Sequence, residues 1–271
     1  MTKPRVSVVQ YLNTVPLIWG MLHGEQQGKF DLSFTTPAQC AEAVGSGRAD
    51  VGIIPAIELQ RIENLQVIPG VSISSLNEVK SVLLLSNCPI ERIRTIALDT
   101  SSRTSVALVS ILLREFYKLE PVMAPAAPEP DAMLAQADAA LLIGDPAIKY
   151  RARGAHVYDL GAEWSKFTGL PCVFALWAGL RQARLEELVR DFQDSRDYGL
   201  RRTGEIAAHY AARVGLTPNE VKMYLTRNIN YNFEESHRRG LNLFYQLAWE
   251  LGLIPAVRGL DFAGSARAQG V

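Results

Sequence analysis

A turn rich in hydroxyl groups is the stretch of this sequence best suited to bind a small anion. Thr100 to Ser105 contains five hydroxyl side chains and one arginine. The apolar residues 95–98 before it are typical of a strand end, and apolar residues recur at helical spacing from Val106 to Phe116. A helix start presents free backbone N–H groups to an anion, and an arginine holds a carboxylate through two parallel hydrogen bonds. The turn therefore predicts a site for a small carboxylate, built from Ser101, Ser102, Arg103, Thr104 and Ser105.

The same turn also has a purely structural interpretation, in which Ser101 or Ser102 caps the following helix. One hydroxyl group is enough for a cap, so five hydroxyl groups with an arginine favour the anion site. The turn lacks the glycine cluster and the Gly-Lys-Ser/Thr ending of a Walker loop, which argues against a nucleoside triphosphate.

Asn13 lies at a second expected junction between a strand and a helix. Residues 5–10 have the apolar pattern of a buried strand, Thr14 could cap the helix that follows, and Pro16 suits its first turn. Ligands of open α/β sheets bind where strands end and helices begin. From position alone, Asn13 has the simpler interpretation of an ordinary turn residue, because asparagine bonds readily to its own backbone.

Gly144 and Asp145 lie at a third junction, after the apolar residues 139–143. Gly144 would let a ligand approach the backbone closely, and Asp145 would cap the helix that Pro146 begins. Capping explains Asp145 adequately, and a role in a ligand pocket is the alternative.

The elements that must position these residues alternate between strand and helix patterns over the first 180 residues, which favours parallel sheets covered by helices. Residues 182–252 have helical spacing almost throughout. We predict an α/β fold of two lobes, crossed twice by the chain, with residues 1–86 and 175–271 in the first lobe and 87–174 in the second. The strand ends with Asn13, Ser86, residues 101–105 and Gly144 would converge in the cleft between the lobes, where small ligands usually bind.

Composition excludes several functional classes. The 271 residues are 48% hydrophobic and carry 28 basic and 28 acidic side chains, which is unlike a nucleic-acid-binding protein. The apolar runs are too short to span a bilayer, and no signal segment precedes the first strand, so we expect a cytoplasmic protein without a membrane partner. The three cysteines are widely spaced, and neither they nor the four histidines have metal-site spacing, so no metal is expected.

Six segments of the chain resemble the menaquinone-biosynthesis dehydratase family. They are Tyr-Leu-Asn-Thr-Val-Pro-Leu at 11–17, Asp-Val-Gly-Ile-Ile-Pro at 50–55, Lys-Ser-Val-Leu-Leu-Leu-Ser at 80–86, Leu-Asp-Thr-Ser-Ser-Arg-Thr-Ser at 98–105, Leu-Leu-Ile-Gly-Asp-Pro-Ala at 141–147 and Tyr-Asp-Leu-Gly-Ala-Glu-Trp at 158–164. The resemblance implies the type 2 periplasmic-binding-protein fold, in agreement with the two predicted lobes. Gln10 and Ala56 depart from the family pattern, in which hydroxyl residues are common at these positions, so hydroxyl contacts are not predicted there.

The resemblance also implies an activity: loss of water from chorismate to give 3-[(1-carboxyvinyl)oxy]benzoate, with no cofactor. The helix start at Ser101 to Ser105 would hold one of the two substrate carboxylates. Thr14, Ser86 and the backbone at Gly144 are candidates for binding the rest of the substrate.

Two groups are candidates for the base that takes the substrate proton. Asp145 is the only carboxylate among the pocket candidates, and a capping role would lower its pKa and make it a weak base. A carboxylate of the substrate itself is the alternative that we favour, with Asn13 orienting that carboxylate or the departing hydroxyl group. The predicted catalytic residues are therefore Asn13 and Asp145.

Other functions remain as alternatives. A related naphthoate synthase of the same route typically has a Pro-Cys-Pro-Asn-like start, unlike the segment Tyr11–Thr14. A solute-binding protein of a transporter, which would bind a small carboxylate without turnover, would require export, and a transcription regulator would require a DNA-binding helix pair. The sequence does not predict an oligomeric state.

Overall fold

The structure is a computed structural model that describes residues 3–151 and 154–264. In this part of the chain, two β-sheets are covered by helices. The first sheet has the strand order β11-β4-β10-β3-β1-β2, with strands β1 (Arg5–Val9), β2 (Asp31–Thr35), β3 (Val51–Pro55), β4 (Leu65–Ser75), β10 (Cys172–Leu180) and β11 (Asn230–Asn232). The second has the order β7-β6-β8-β5-β9, with strands β5 (Val82–Ser86), β6 (Thr95–Asp99), β7 (Val122–Ala126), β8 (Ala139–Ile143) and β9 (His156–Asp159).

The helices of the described residues are α1 (Val15–His23), α2 (Pro37–Gly45), α3 (Arg103–Ile111), α4 (Pro130–Gln136), α5 (Gly144–Lys149), α6 (Leu160–Thr168), α7 (Val189–Arg201), α8 (Thr203–Val214), α9 (Pro218–Met223) and α10 (Glu235–Glu250). Short 3₁₀ turns at Leu12–Thr14 and Ala56–Gln60 follow β1 and β3. None of these helices is both long enough and apolar enough to span a membrane.

Both sheets combine parallel and antiparallel pairs. Strands β1, β2 and β3 are parallel, as are β6, β7 and β8, which agrees with the strand–helix repeat. Strand β10 runs antiparallel between β3 and β4, and β5 runs antiparallel between β8 and β9. The expectation of purely parallel sheets is therefore wrong for these strands. A strand buried on both faces is a continuous apolar run in either direction, so its sequence does not record its direction.

The chain passes from the first sheet to the second between Ser75 and Val82, and returns between Thr168 and Cys172. The two crossings of an α/β fold agree with the prediction. Strand β5 lies in the second sheet and β10 entirely in the first, so the strands change sheet a few residues earlier than the proposed lobe limits of 86/87 and 174/175. The lobe limits stay a prediction. Residues 1–2 and 265–271, which the prediction assigns to the first lobe, lie outside the described residues.

One segment expected to be helical is a strand. Asn230–Asn232 pairs with β4 at the edge of the first sheet. The Ser72 and Ser74 hydroxyl groups of β4 donate hydrogen bonds to the carbonyl groups of Asn232 and Asn230, at 2.7 and 2.9 Å. These long-range bonds outweigh the helical pattern of the surrounding residues.

Candidate functional site

A cavity lies between the two sheets, at the carboxyl ends of β1, β3 and β8. The cavity and the solvent-filled space at its mouth together measure about 500 Å³. Its polar lining residues are Tyr11, Asn13, Ser81, Ser102 and Ser105, and its other walls are formed by Val9, Pro37, Ile53, Pro55, Ile73, Val79, Val82, Ile143, Gly144, Phe174 and Ala175. The sheets thus bring three of the predicted junctions into one mostly apolar space.

Tyr11 bridges the two sheets at this cavity. It follows β1 of the first sheet, and its ring lies against Gly144 at the end of β8 in the second sheet. Its hydroxyl group is 3.4 Å from the Ser101 hydroxyl oxygen. A Cβ atom on Gly144 would lie 2.7 Å from the Tyr11 ring, and the Gly144 φ angle is +66°. Glycine is therefore required here both for its backbone conformation and for the space occupied by Tyr11.

We expect Gly144→Ala to weaken substrate binding at least tenfold, because the new methyl group would push the Tyr11 ring out of the cavity wall. The left-handed backbone alone costs roughly 1 kcal/mol for a non-glycine residue. Gly215→Ala is the matched control, since Gly215 has a φ angle of +65° and a Cβ atom added to it would meet no atom within 4 Å. Dissociation constants and melting temperatures of both variants check this prediction. Equal substrate affinity in the two variants would contradict a role of the Tyr11–Gly144 contact in binding.

Asn13 lines the cavity close to two residues that the sequence interpretation did not select. The hydroxyl group of Tyr224 is buried beside Ser81 and Asn13, and no hydrogen-bond partner of good geometry reaches it within the described residues. Burial raises the pKa of Tyr224, and the neighbouring Ser81 and Asn13 oppose that rise. Tyr224 is therefore an uncharged hydroxyl group at neutral pH. It belongs to a region that was interpreted as helical core, so only its tertiary position reveals it.

Two hydroxyl groups of the α3 start face the cavity. Ser102 caps the helix by accepting a hydrogen bond from the Ser105 backbone N–H at 3.4 Å, and the two side-chain oxygens are 3.0 Å apart. Residues three positions apart share a face of a helix, so both hydroxyl groups point the same way. The helix start therefore acts as both cap and cavity wall, and the two interpretations of the turn are compatible.

Arg103 and Thr104 face the first lobe instead of the cavity. The Arg103 guanidinium group donates to Glu58 at 2.9 Å and to Glu42 at 2.8 Å, and the Thr104 hydroxyl oxygen accepts the Ile57 N–H at 3.2 Å. The guanidinium group that was predicted to bind a substrate carboxylate thus binds two carboxylates of the protein. Both residues lie between Ser102 and Ser105 along the helix and so project from a different face.

Ser86 also lies away from the cavity. Because β5 runs antiparallel to β8, Val82 pairs with Ile143 near the cavity while Ser86 pairs with Ala139 at the opposite edge of the sheet. The Ser86 hydroxyl group donates to the carbonyl groups of Cys88 and Asp138. The polar residue of this segment that reaches the cavity is Ser81, just before the amino end of the strand. The prediction assumed the carboxyl end, as in a parallel sheet.

Thr14 and Asp145 line a second cavity, which shares Tyr11 with the first and measures about 610 Å³ together with the solvent-filled space at its mouth. Thr14 does not cap α1, since its hydroxyl group donates to the Asn13 side-chain oxygen at 3.4 Å. Asp145 does not cap α5 either, since its carboxylate accepts the Leu12 N–H at 2.9 Å. Burial raises the pKa of Asp145, and the Leu12 N–H, Lys149 and Arg213 oppose that rise.

These contacts define what the first cavity is suited to do. Its lining within the described residues has hydroxyl groups, an amide and backbone groups, but no charged side chain. Also within the described residues, no group of three or more His, Cys, Asp or Glu side chains could hold a metal ion. Neutral donors in an apolar space can bind and orient a small polar molecule, but they supply no strong base of their own.

Comparison with solved structures supports the fold. A crystal structure of a protein from Archaeoglobus fulgidus superposes with a TM-score of 0.75 at 22% identity, covering 93% of this chain and 98% of that one. The periplasmic aliphatic sulphonate binding protein SsuA of Escherichia coli superposes with a TM-score of 0.65 at 16% identity, covering 94% of both chains. The predicted two-lobe fold like that of periplasmic binding proteins is therefore confirmed.

Comparison with known sequences gives the family. The chorismate dehydratase of Thermus thermophilus is 31% identical over 260 residues, which cover 87% of this chain and 91% of that protein. The chorismate dehydratase of Campylobacter jejuni is 24% identical over 251 residues, covering 90% and 97%. A family profile described as menaquinone biosynthesis matches residues 4–250. A match over nearly the whole chain, on a fold whose cavity is lined by residues of most of the six motifs, places this chain in the menaquinone biosynthesis family.

Proposed function

We propose that this protein is a hydro-lyase that eliminates water from chorismate to give 3-[(1-carboxyvinyl)oxy]benzoate. The observation that carries the proposal is the 31% identity to a chorismate dehydratase over 260 residues. The family match over residues 4–250 includes the whole cavity lining. The hydroxyl and amide groups of that lining suit a small substrate that is rich in oxygen.

The reaction removes the hydroxyl group from ring carbon C4 and the proton from C3, and the two leave as one water molecule. The C3–H electron pair forms the new double bond as the C4–O bond breaks, so the ring becomes aromatic. Aromatisation makes the reaction strongly downhill, so the protein must mainly hold the substrate in a reactive geometry. A mostly apolar cavity with a few polar groups in its lining serves that purpose.

Ser102 and Ser105 at the α3 start are placed to bind one substrate carboxylate, with the backbone N–H groups of the helix start as further donors. This proposal replaces the one in which Arg103 binds the carboxylate. Ser81 and Asn13 face the same space and are proposed to bind the departing hydroxyl group or the second carboxylate.

The proton at C3 is proposed to go to a carboxylate of the substrate, which Asn13 orients. Asp145 is the other candidate base, but it lines the second cavity and its carboxylate is bonded to the Leu12 N–H. The first cavity offers no other side chain, among the described residues, that could act as a base at neutral pH. Substrate-assisted elimination is therefore the route that the positions of these groups favour.

We expect dialysed, chelator-treated protein to convert chorismate into the aromatic enol ether without added metal or cofactor. Chromatography separates the product from chorismate, and its ultraviolet spectrum identifies the aromatic ring. Product that forms only after metal is added would contradict a metal-free elimination. Tight binding of chorismate without any product would instead support a binding protein.

A further inference from the structure

Asp145 makes a hydrogen bond from one lobe to the other. It lies in the first turn of α5, which follows β8 of the second sheet, and its carboxylate accepts the backbone N–H of Leu12, which follows β1 of the first sheet. The two atoms are 2.9 Å apart. The bond therefore exists only while the two sheets hold their present distance.

Capping of α5 does not explain a carboxylate at this position. Helix α5 has Ile143 at its cap position and no side-chain cap, so Asp145 is not needed to begin the helix. Placing a carboxylate in a half-buried position costs free energy, which here is opposed by the Leu12 N–H and by the nearby charges of Lys149 and Arg213. The hydrogen bond that the carboxylate accepts from the Leu12 N–H, across the cleft, therefore accounts for its position.

Leu12 begins the 3₁₀ turn that contains Asn13. The first N–H groups of a helical turn have no partner within the turn, and Asp145 supplies one for Leu12. Asn13 belongs to the first lobe, whereas Ser102 and Ser105 belong to the second. Fixing the Leu12 N–H to the second lobe therefore fixes Asn13 relative to these hydroxyl groups.

We propose that Asp145 is a positioning residue, which holds Asn13 at its working distance from the second-lobe donors by accepting the Leu12 N–H across the cleft. This role rests on the proposed function, since the geometry that it maintains is that of the elimination. It differs from the role of Asp145 as the base, because the carboxylate here takes no proton from the substrate.

Asp145→Asn and Asp145→Ala distinguish the two roles. The carboxamide oxygen of the introduced asparagine can accept the same N–H, so we expect kcat within about fivefold of that of the unchanged protein. Alanine cannot accept it, and a displacement of about 1 Å in a reacting geometry costs roughly 100-fold in rate, so we expect that loss of kcat in Asp145→Ala. A base would instead be lost equally in both variants, because a carboxamide takes no proton.

The pH profile gives a further distinction. If kcat of the unchanged protein falls at low pH, it should fall in the same way in Asp145→Asn. Lys149 and Arg213 are the charged groups near this carboxylate, and both remain in the variant. Loss of that fall at low pH in Asp145→Asn would assign the proton transfer to Asp145 and overturn the positioning role.

Hydrogen exchange at the Leu12 amide tests the contact without any substrate. The amide should be protected in the unchanged protein and in Asp145→Asn, and should exchange at least tenfold faster in Asp145→Ala. Unchanged exchange in Asp145→Ala would overturn the proposal even if the protein does not act on chorismate. Failure of the proposed function alone would appear as the absence of product from the unchanged protein with the Leu12 amide protected, and would limit the role of Asp145 to holding the lobes.

Asp138→Ala is the matched control. The Asp138 carboxylate also accepts backbone N–H groups of the second lobe, those of Arg94 and Thr95 at 2.9 Å, but it lies at the edge of the sheet away from the cavity. This variant should lower the melting temperature and leave kcat unchanged. A loss of kcat equal to that of Asp145→Ala would show that general loosening of the second lobe explains both, and would overturn the proposal.

Discussion

Asn13→Ala is expected to lower kcat about 100- to 1,000-fold while substrate binding remains measurable. This magnitude is typical of the loss of one preorganised hydrogen-bond donor to a charge that develops in the transition state. Asn13 has the only side-chain amide in the cavity lining of the described residues, and it lies beside the uncharged hydroxyl group of Tyr224. A contact made mainly in the transition state lowers the rate constant more than the affinity.

Asn13→Asp is expected to bind the substrate more weakly than Asn13→Ala. The aspartate would place a negative charge beside a dianionic substrate, so repulsion is added to the loss of the donor. The cavity lining of the described residues has no cation to neutralise that charge. Values of kcat and Kd for both variants measure the difference.

Asn87→Ala is the control for these two variants. The Asn87 amide donates to the Leu134 carbonyl group at 2.8 Å, at the edge of the second sheet away from the cavity. It should alter the melting temperature without altering kcat. A near-normal kcat in Asn13→Ala, or a fall in its melting temperature large enough to explain the lost activity, would make Asn13 a structural residue.

Arg103→Ala is expected to lower the free energy of unfolding by about 3 kcal/mol, because it leaves a buried carboxylate without one of its two partners. The Glu58 side chain is only 3% exposed, and besides Arg103 it is paired with Arg61 at 3.0 Å. Arg103 belongs to the second lobe and Glu58 to the first, so the pair also joins the lobes. Denaturant unfolding measures the effect, provided that the slope of the free energy of unfolding against denaturant concentration is unchanged.

Glu42→Gln is the matched variant for the other half of the same guanidinium group. The Glu42 side chain is 53% exposed, so its loss should cost less than about 1 kcal/mol, as for other surface ion pairs. Equal effects of Arg103→Ala and Glu42→Gln would show that the buried pair with Glu58 is not the stabilising one.

The sequence predicted the two-lobe α/β fold and four residues of the cavity lining, because these follow local rules. Strand ends followed by helix starts meet at the carboxyl edge of a sheet, so Asn13, Ser102, Ser105 and Gly144 come together. Their roles in the reaction stay predictions. Ser86 was misplaced because the direction of β5 depends on its partners and is not recorded in its own apolar residues.

The other differences arise from partners that are distant in the chain. The carboxylates that occupy Arg103 are 45 and 61 residues away from it, and the N–H that Asp145 accepts is 133 residues away. A local pattern predicts that an arginine at a helix start binds a ligand, or that an aspartate caps a helix. It does so because it contains only neighbouring residues and not the distant partners. Tyr224 was missed for the same reason, since Ser81 and Asn13 become its neighbours only in the folded chain.

The position of β10 between β3 and β4 affects how the protein folds during synthesis. Strands β5 to β9 all lie within residues 82–159, so the second sheet can form as soon as that segment leaves the ribosome. Strand β10 pairs with one edge of β3 and one edge of β4, so these two edges have no partner strand until residues 172–180 are made. Until then the buried edge of Val51–Pro55 is unpaired, and such edges are prone to join other chains. We therefore expect nascent chains that stop before residue 172 to need chaperones, and those that extend past β10 to depend on them less.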